Sequence, residues 1–362
     1  MHSVYIHIPF CNHICSYCSF TKFYYDKKKV SEYLNSLKQE IELNYKGEII
    51  KTLYIGGGTP SSLNIDELNK LFEIIKIFKL DNDLEFTIEV NPENITLEKI
   101  KLFKENKVNR ISIGVESTND KFLQYLGRNH DFNKVKEKIK LIKDVGINNI
   151  NVDLIYALPN ESLKDLENDI DNILSLDITH ISTYSLMIEP HTKLYINNEK
   201  NIDEEIDYLM YKLIIKKLTK HKYNHYEISN FSLKGYESRH NLVYWNNEHY
   251  YGFGLGASGY IDNIRYTNTT SLKEYNKFNF IKDREILSKK DIISYELILG
   301  FRKINGINKN DFYNKYNVDI KSLYNIKELL NLGDLQENTS NIYINYDKIY
   351  VENQILMNFI GE

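Results

Sequence analysis

Three cysteines lie close together near the amino terminus, and the chain of 362 residues contains no others. They are Cys11, Cys15 and Cys18, in the spacing C-x3-C-x2-C. Since no cysteine remains elsewhere to form a disulfide, this group predicts a metal site. Soft thiolates bind zinc or iron–sulfur clusters, and most iron–sulfur clusters take four protein thiolates. Three thiolates would leave one iron of a cluster open to a small molecule.

A zinc site is the alternative interpretation of the same spacing. His13 or His7 would then be the fourth ligand, since zinc is commonly held by cysteine and histidine together. A structural zinc site usually stabilises a small module. Here the motif opens a series of predicted strands and helices, and a glycine-rich segment, Gly56-Gly57-Gly58-Thr59-Pro60, follows the next strand. This order favours an iron–sulfur cluster over zinc.

Short runs of β-branched and aromatic residues recur through the first two-thirds of the chain and predict strands. These runs are Val4–Ile8, Thr52–Ile55, Glu85–Val90, Arg110–Gly114, Ile150–Ile155 and His180–Leu186. Amphipathic stretches with helical spacing lie between the runs, at Val30–Tyr45, Ile65–Phe78, Phe132–Val145 and Leu163–Leu176. Such alternation is typical of βαβ units and a parallel sheet. The units could form either an open sheet or a partial barrel.

The residues that could do chemistry follow the predicted strands, which is where ligands gather in folds of this class. The cysteines follow the first strand, and the glycine-rich segment follows the second. Glu89 ends the third strand, Glu116 ends the fourth, and Asp153 lies at the end of the fifth. This shared placement predicts one functional site at the carboxyl ends of the strands.

The last third of the chain predicts a different organisation. Helical spacing and then strand-like alternation occur at Asp203–His221, Asp291–Lys303, Ile342–Ile344 and Ile349–Glu352. A stretch rich in tyrosine, glycine and histidine separates the first two of these segments. We therefore predict three parts, which are a main α/β domain (residues 1–235), a connector that lines the pocket (236–282), and a small, mostly helical, winged-helix-like domain (283–362).

The charge pattern argues against a nucleic-acid partner. The net charge is −4 and the isoelectric point is about 6.2, so the chain lacks the concentrated positive field of a nucleic-acid binder. No apolar stretch approaches the roughly 20 residues needed to span a bilayer, and we expect no signal peptide before the cysteine motif. Unpaired cysteines fit a reducing compartment. We therefore expect a cytoplasmic protein, with peripheral association with a membrane left open.

The cysteine spacing after a first strand, together with the Gly56–Pro60 segment, resembles the radical S-adenosylmethionine (radical SAM) superfamily. Within this superfamily the chain resembles the oxygen-independent coproporphyrinogen III oxidase family more closely. The segments that carry this resemblance are Tyr5–Cys11, Glu89–Pro92, Ser112–Ser117, Leu126–Arg128, Asp153–Pro159 and Glu189-Pro190. The resemblance implies an α/β fold, specifically a partial (β/α) barrel. It also implies a 4Fe–4S cluster on the three cysteines, with S-adenosylmethionine bound to the open iron through its amino and carboxylate groups.

The same resemblance assigns residues to the S-adenosylmethionine pocket. Carried over residue by residue, they are Tyr5, Tyr17, Gly57, Gly58, Thr59, Glu89, Glu116, Arg128 and Asp153. The tyrosines would lie beside the cluster, and the two glycines and the threonine would contact the methionine end. Glu89 would accept a hydrogen bond from a ribose hydroxyl. Glu116 departs from the family, which usually has Gln there, and a carboxylate cannot donate a hydrogen bond unless it is protonated.

Two subfamilies share these motifs, and two features distinguish them here. The oxidase, which decarboxylates two propionates of coproporphyrinogen III, typically has a fourth cysteine two residues after the third, where this chain has Phe20. The oxidase also has an amino-terminal extension that helps to enclose its substrate, and we expect no such extension here. Both features indicate the other subfamily, the haem chaperones of the HemW type.

A positive feature of that subfamily lies at Arg239–Trp245, which contains the motif H-N-x-x-Y-W of its haem-binding members. The motif implies that His240 is the axial ligand of one haem, since neutral imidazole binds haem iron. The implied partners are haem, a haem-acceptor protein and an electron donor to the cluster. Two alternatives stay open, namely oxygen-independent coproporphyrinogen III decarboxylation and a structural zinc protein.

Overall fold

The computed structural model describes residues 2–360, and its strands form one large sheet and two small ones. In chain order the strands are β1 (His2–Ile8), β2 (Phe10–Cys11), β3 (Phe23–Tyr24), β4 (Ile49–Gly57), β5 (Lys79–Val90), β6 (Arg110–Glu116), β7 (Asn149–Tyr156), β8 (His180–Ser185), β9 (Asn224–Glu227), β10 (Asn230–Ser232), β11 (Tyr250–Phe253), β12 (Ser258–Ile261), β13 (Ile264–Asn268), β14 (Ile281–Ile286), β15 (Ile307–Asn308), β16 (Leu335–Glu337) and β17 (Asn341–Ile344).

The large sheet contains the six strands that the sequence predicts, paired in parallel. Over residues 2–360 its order is β14-β13-β12-β11-β1-β4-β5-β6-β7-β8-β10-β9. The run from β11 to β8 is parallel throughout, and the outer strands on both sides are antiparallel. Within the described residues the two ends of this order do not pair with each other, so the sheet is open.

Helices connect the parallel strands, as βαβ units require. In chain order they are α1 (Lys27–Asn44), α2 (Ile65–Ile75), α3 (Leu97–Glu105), α4 (Asp120–Leu126), α5 (Phe132–Asp144), α6 (Leu163–Leu174), α7 (Lys193–Ile196), α8 (Glu204–Lys220), α9 (Arg239–Trp245), α10 (Leu272–Tyr275), α11 (Lys289–Gly300), α12 (Lys309–Tyr316), α13 (Tyr324–Asn331) and α14 (Glu352–Leu356). Side-chain caps define where several of them begin; Asn64 and Glu67, for example, form a capping box at α2. Across residues 2–360, no helix has both the length and the apolar character needed to cross a membrane.

The parallel strands carry apolar side chains on one face and polar side chains on the other. In β1, Val4, Ile6 and Ile8 are fully buried in the core that also contains the helices. On the opposite face, Tyr54 of β4 and Ser112 of β6 line a central cavity. Because successive side chains of a strand point to opposite faces, the sheet packs its apolar face on the helices and curves its polar face around the cavity, as a partial barrel does.

The large sheet extends across the predicted boundary between residues 235 and 236. Strand β11 pairs in parallel with β1, and β12 to β14 continue the sheet from there. The predicted connector therefore supplies strands to the sheet as well as lining residues to the cavity, since Asn241 reaches the cavity from α9. The division into three parts itself stays a prediction.

The carboxyl-terminal region consists of α11 to α14 and a small antiparallel sheet in the order β15-β17-β16. The predicted strand at Ile342–Ile344 is part of β17. The predicted strand at Ile349–Glu352 is wrong, because a 3-10 helix spans Tyr346–Val351. Its start is capped by Asn345, whose side chain accepts a hydrogen bond from the backbone of Asp347. β17 pairs with β15 and β16 instead.

Candidate functional site

The three cysteines lie on and around the loop that follows β1, and all three line one cavity of about 400 Å3. Cys11 is buried, whereas Cys15 and Cys18 are partly exposed. Backbone hydrogen bonds hold this loop in place: Tyr25 donates to the Cys11 carbonyl at 2.9 Å, and Ser16 donates to the carbonyl at the end of α4 at 3.0 Å. The loop therefore presents its thiols from a fixed backbone.

The thiols receive hydrogen bonds from two residues that the sequence assigns to the same site. The Thr59 hydroxyl donates to the sulfur of Cys11 at 3.4 Å, and the Arg128 guanidinium donates to the sulfur of Cys15 at 3.4 Å. Burial raises the pKa of the Cys11 thiol to about 11 and also raises that of Cys18. A bound metal centre would supply the positive charge that lets these buried thiols ionise.

A zinc ion and a 4Fe–4S cluster would place different demands on the three cysteines. Among residues 2–360, no group of three or more His, Cys, Asp or Glu side chains lies close enough together to hold one metal ion. Ligands of one zinc ion must converge at about 2.0 to 2.3 Å from it, whereas the thiolates of a 4Fe–4S cluster each bind a different iron. His7, one predicted zinc ligand, is engaged elsewhere, because its ring nitrogens bond to the Tyr5 hydroxyl at 3.0 Å and the Thr21 carbonyl at 2.8 Å.

The glycine-rich segment forms the end of β4 and the turn that follows it. Gly57 has a φ of +112°, and a Cβ at this position would lie 2.4 Å from the ring of His7. Its backbone N–H donates to a carboxylate oxygen of Glu89 at 3.0 Å. Gly57, Gly58 and Thr59 all line the cavity. Because glycine has no side chain, the backbone at Gly57 can pass between His7 of β1 and the carboxylate of Glu89.

Replacing Gly57 with alanine should lower the free energy of unfolding by more than replacing Gly235 does. Both glycines have a positive φ, but nothing lies within 4 Å of a Cβ at Gly235. Gly235→Ala therefore carries the backbone penalty alone, on the order of 1 kcal/mol. Gly57→Ala adds the clash with His7, at a further ~1 to 3 kcal/mol. Urea unfolding measures both losses; equal losses would show that His7 moves aside without cost.

Three acidic side chains face the same cavity, and burial raises the pKa of each. Glu89, which accepts hydrogen bonds from the Tyr54 hydroxyl at 2.8 Å and from the Gly57 backbone, has its pKa raised to about 7. Burial also raises the pKa of Asp153, despite hydrogen bonds from neighbouring side chains. The pKa of Glu116 is raised to about 7, although Arg128 lies 3.9 Å away. Buried carboxyl groups of this kind are stabilised in their charged form by a bound cation.

Two further observations concern Glu116 and Arg128, which lie side by side in the lining of the cavity. Glu116 has a φ of 68°, an unfavourable conformation for a residue with a side chain that is often found at functional sites. Arg128 is 8% exposed and donates to the side chain of Asn91 at 3.0 Å, to the carbonyl of Gly114 and to the sulfur of Cys15. It thus joins the cysteine loop to the ends of β5 and β6.

Of the two predicted tyrosines, the structure brings only Tyr17 to the cavity. Burial, followed by the negative charge of Glu116, raises its pKa well above the usual value. Tyr5 is not among the residues that line the cavity. Its hydroxyl donates to His7, and its ring lies 6.1 Å from that of Tyr54, which does line the cavity. Tyr5 therefore lies beside Tyr54 on the same face of the sheet, next to the lining of the cavity.

His240 is not part of the cavity lining either. It is 1% exposed, and its ring nitrogens are hydrogen-bonded to the Thr52 hydroxyl at 2.7 Å and the Tyr244 hydroxyl at 2.8 Å. Glu85 accepts the backbone N–H of His240 at 2.9 Å and so anchors the start of α9 against β5. The ring stacks on Tyr54 with 5.1 Å between centroids. Burial lowers the pKa of His240 to about 3, so the imidazole is neutral.

Several residues that line the cavity were not singled out from the sequence. They are Arg110 and Ser112 of β6, Asn151 of β7, and Ser182 and Tyr184 of β8. Their signal was the alternation of polar and apolar residues, which is clearest in β6, Arg110-Ile-Ser-Ile-Gly-Val-Glu116. A parallel strand with both faces in an apolar core reads as a continuous hydrophobic run. Alternation in a parallel strand therefore indicates that one face of the sheet is polar.

Comparison with known proteins gives consistent results. The sequence profile of the Radical SAM superfamily matches residues 5–173. Heme chaperone HemW of Lactococcus lactis subsp. lactis is 38% identical over 299 residues, which cover 80% of this chain and 78% of that protein. Heme chaperone HemW of Bacillus subtilis is 39% identical over 284 residues, which cover 76% and 75%. Among solved structures, coproporphyrinogen III oxidase (HemN) from Escherichia coli has a TM-score of 0.87 at 21% identity, covering 99% of this chain and 90% of that one.

These similarities support different conclusions. The solved structure, at 21% identity, bears on the fold alone, and with it the predicted α/β fold with a helical carboxyl-terminal region is confirmed. The radical SAM profile implies a 4Fe–4S cluster and S-adenosylmethionine as cofactors. Curated relatives with more than 30% identity over most of their length carry the name HemW, so the oxidase alternative is not favoured. The chain therefore belongs to the HemW family within the radical SAM superfamily.

Proposed function

We propose that the chain is a haem chaperone that binds a 4Fe–4S cluster, S-adenosylmethionine and one haem, and passes the haem to an acceptor protein. The observation that carries this proposal is the similarity to proteins named Heme chaperone HemW over 80% of the chain. The cavity supports it, because thiols, glycine backbone and buried carboxyl groups open onto one space. An electron donor to the cluster is a further expected partner, and the cytoplasm is the expected location.

Cys11, Cys15 and Cys18 would hold the cluster. When bound, the cluster would supply an electron-transfer centre with one iron open to a small-molecule chelate. The chain's own contribution is to fix the three sulfurs on a loop with a hydrogen-bonded backbone. Thr59 and Arg128 donate hydrogen bonds to two of these sulfurs, and such bonds stabilise the thiolate form.

The polar wall would bind S-adenosylmethionine. Gly57, Gly58 and Thr59 would contact the methionine end, where backbone without side chains allows close approach. Glu89 would accept a hydrogen bond from a ribose hydroxyl. Its carboxylate already accepts from Tyr54 and Gly57, which orients it and leaves lone pairs free. Tyr17, Glu116, Arg128 and Asp153 would complete the wall around bound S-adenosylmethionine.

The affinity for S-adenosylmethionine should rise between about pH 6 and pH 8. Burial raises the pKa of Glu89 and of Glu116 to about 7, so both carboxyl groups lose protons in this range and then attract the cation. One coupled proton changes the affinity by up to about tenfold per pH unit. Calorimetric titration of the reconstituted protein at several pH values measures the slope, and Glu116→Gln should make it shallower. A flat profile would contradict these assignments.

His240 would be the axial haem ligand, and its neutral imidazole suits that role. Its nitrogens are hydrogen-bonded to Thr52 and Tyr244, so binding iron would require one of these hydrogen bonds to open. The rings of Tyr54 and Tyr244 lie beside it and offer flat apolar faces to a porphyrin. A haem at this position would contact α9 and the inner part of β4.

A haem titration of the anaerobically reconstituted protein tests the proposed function. A saturable change of the Soret band with a one-to-one end point is expected. Absence of saturable binding would contradict the chaperone proposal. Coproporphyrinogen III with a reductant, added to the same preparation, provides the second assay, and steady formation of protoporphyrinogen IX would identify an oxidase instead.

A further inference from the structure

A buried positive charge without a partner faces the central cavity. Arg110, the first residue of β6, is 2% exposed and is the largest of the fully buried side chains. In residues 2–360 its guanidinium has no hydrogen bond and no ion pair, and its buried Nε atom lacks any partner. The side chain belongs to the cavity lining. A buried arginine is normally paired with an anion.

Arg110 cannot lose its buried positive charge by deprotonation, since a guanidinium keeps its proton in proteins. The acidic side chains of the neighbouring strands, Glu89 and Asp153, are close enough for the charge of Arg110 to lower their pKa values. Each is nevertheless held by other donors. Glu89 accepts from Tyr54 and Gly57, and Asp153 accepts from Asn151 at 2.9 Å and Ser112 at 3.3 Å.

The other arginine of the cavity has a different environment. Arg128 donates to Asn91, Gly114 and the sulfur of Cys15, and it lies 3.9 Å from Glu116. Its hydrogen-bonding capacity is largely used by the protein. Arg110 therefore differs from Arg128 in making none of these contacts with the protein, although both side chains line the cavity and the Nε atoms of both lack a partner within residues 2–360.

The position of Arg110 indicates which part of a ligand it would meet. It lies at the amino end of β6, opposite Thr87 of β5, whereas the cysteine loop lies at the carboxyl ends of the strands. Asn151 and Asn241 also line the cavity. We call Arg110, Asn151 and Asn241 the cavity floor. A ligand that meets Arg110 lies at this floor, away from the cysteine loop.

We propose that Arg110 is a carboxylate-binding residue that anchors a small-molecule ligand at the cavity floor. The planar guanidinium matches a carboxylate in a two-point contact. This inference rests on the proposed function, in which haem carries two propionate carboxylates. The carboxylate of S-adenosylmethionine is assigned to the open iron of the cluster, at the other end of the cavity, so the group proposed to meet Arg110 is a haem propionate.

The experiment compares haem with its dimethyl ester, in which both propionates are blocked, and uses S-adenosylmethionine as the ligand whose binding should not depend on Arg110. Arg110→Met removes the charge at similar length, and Arg110→Lys retains it. Thr87→Val is the matched control, because Thr87 is the buried cross-strand neighbour outside the cavity lining. All variants are compared with the wild type by equilibrium titration after anaerobic reconstitution, with circular dichroism as a check of folding.

Loss of haem affinity by about tenfold or more is expected in Arg110→Met, as for loss of a charged hydrogen bond. The dimethyl ester should bind Arg110→Met and wild type alike, and Arg110→Lys should recover part of the affinity for haem. Thr87→Val should bind haem like the wild type, and S-adenosylmethionine should bind all variants alike.

Equal weakening of haem and its dimethyl ester in Arg110→Met, no weakening of haem, or weakening confined to S-adenosylmethionine would overturn the proposal. If Arg110→Met does not fold, wild type and Arg110→Lys still provide the test, because haem and its dimethyl ester should then differ in affinity for both. Failure of the wild type to bind haem would instead contradict the proposed function. The Nε–H signal of Arg110, followed by nitrogen-15 NMR during addition of acetate, then tests the site alone; a saturable shift supports it and an unchanged signal overturns it.

Discussion

Replacement of Cys15 with alanine is expected to reduce the iron bound after anaerobic reconstitution to below about one-tenth of the wild-type content, since two thiolates rarely retain a cluster. The brown absorbance should be lost with it. The chain should stay folded, because Cys15 is partly exposed on a loop and its sulfur accepts a hydrogen bond from Arg128 alone. Metal analysis and circular dichroism measure the two effects separately.

Ser19→Ala is the matched control for this experiment. Ser19 lies on the same loop, beside Cys18, and also lines the cavity, but a hydroxyl is a poor ligand for iron in a thiolate cluster. Its replacement should leave the iron content unchanged. Full retention of iron in Cys15→Ala would contradict the ligand set, and stoichiometric zinc in place of iron would favour the zinc alternative, in which His13 is the remaining histidine ligand.

The second large effect is expected at His240. His240→Ala should weaken haem binding at least about tenfold if this imidazole binds the iron. It should also lower the free energy of unfolding by roughly 1 to 3 kcal/mol, because the hydroxyls of Thr52 and Tyr244 both lose their partner. A loss of haem binding in this variant alone would therefore leave ligation and structural support unresolved.

Tyr244→Phe and Thr52→Val separate these two roles. Tyr244→Phe frees the Nε2 atom of His240, and Thr52→Val frees the Nδ1 atom. If Nε2 binds haem iron, Tyr244→Phe should strengthen haem binding by about fivefold, since one hydrogen bond of about 1 kcal/mol no longer competes. Thr52→Val should give no such gain. Equal weakening in His240→Ala and Tyr244→Phe would mean that the hydrogen-bonded pair supports α9 and that another group binds haem.

The parallel strands could be predicted from the sequence because each depends on a local pattern. The run Arg110–Gly114 corresponds to β6, and the amphipathic stretch Leu163–Leu176 corresponds to α6. The carboxyl ends of parallel strands share one edge of a sheet. The predicted meeting of the cysteine loop with Glu89, Glu116 and Asp153 at one cavity follows from that geometry.

The position of β11 could not be predicted in the same way. This strand pairs with β1, although almost all of the barrel strands lie between the two along the chain. Backbone pairing between distant segments leaves little trace in the local sequence of either segment. The failed prediction at Ile349–Glu352 has a local cause. Its β-branched residues are typical of a strand, but the side chain of Asn345 caps the start of a 3-10 helix. This local hydrogen bond outweighs the strand preference of the residues that follow.

By itself, the sequence determined which functional groups the protein carries: three thiols, a glycine-rich turn and the carboxyl groups that follow the strands. Only the tertiary structure decided which polar groups stay open to a ligand. His240 is occupied by Thr52, a residue 188 positions away, and His7 is occupied by Tyr5 and Thr21. Within residues 2–360, the Nε atom of Arg110 is left without a hydrogen-bond partner. The physical reason is that a buried polar group takes its hydrogen bonds from whatever the fold places beside it, and those neighbours come from distant parts of the chain.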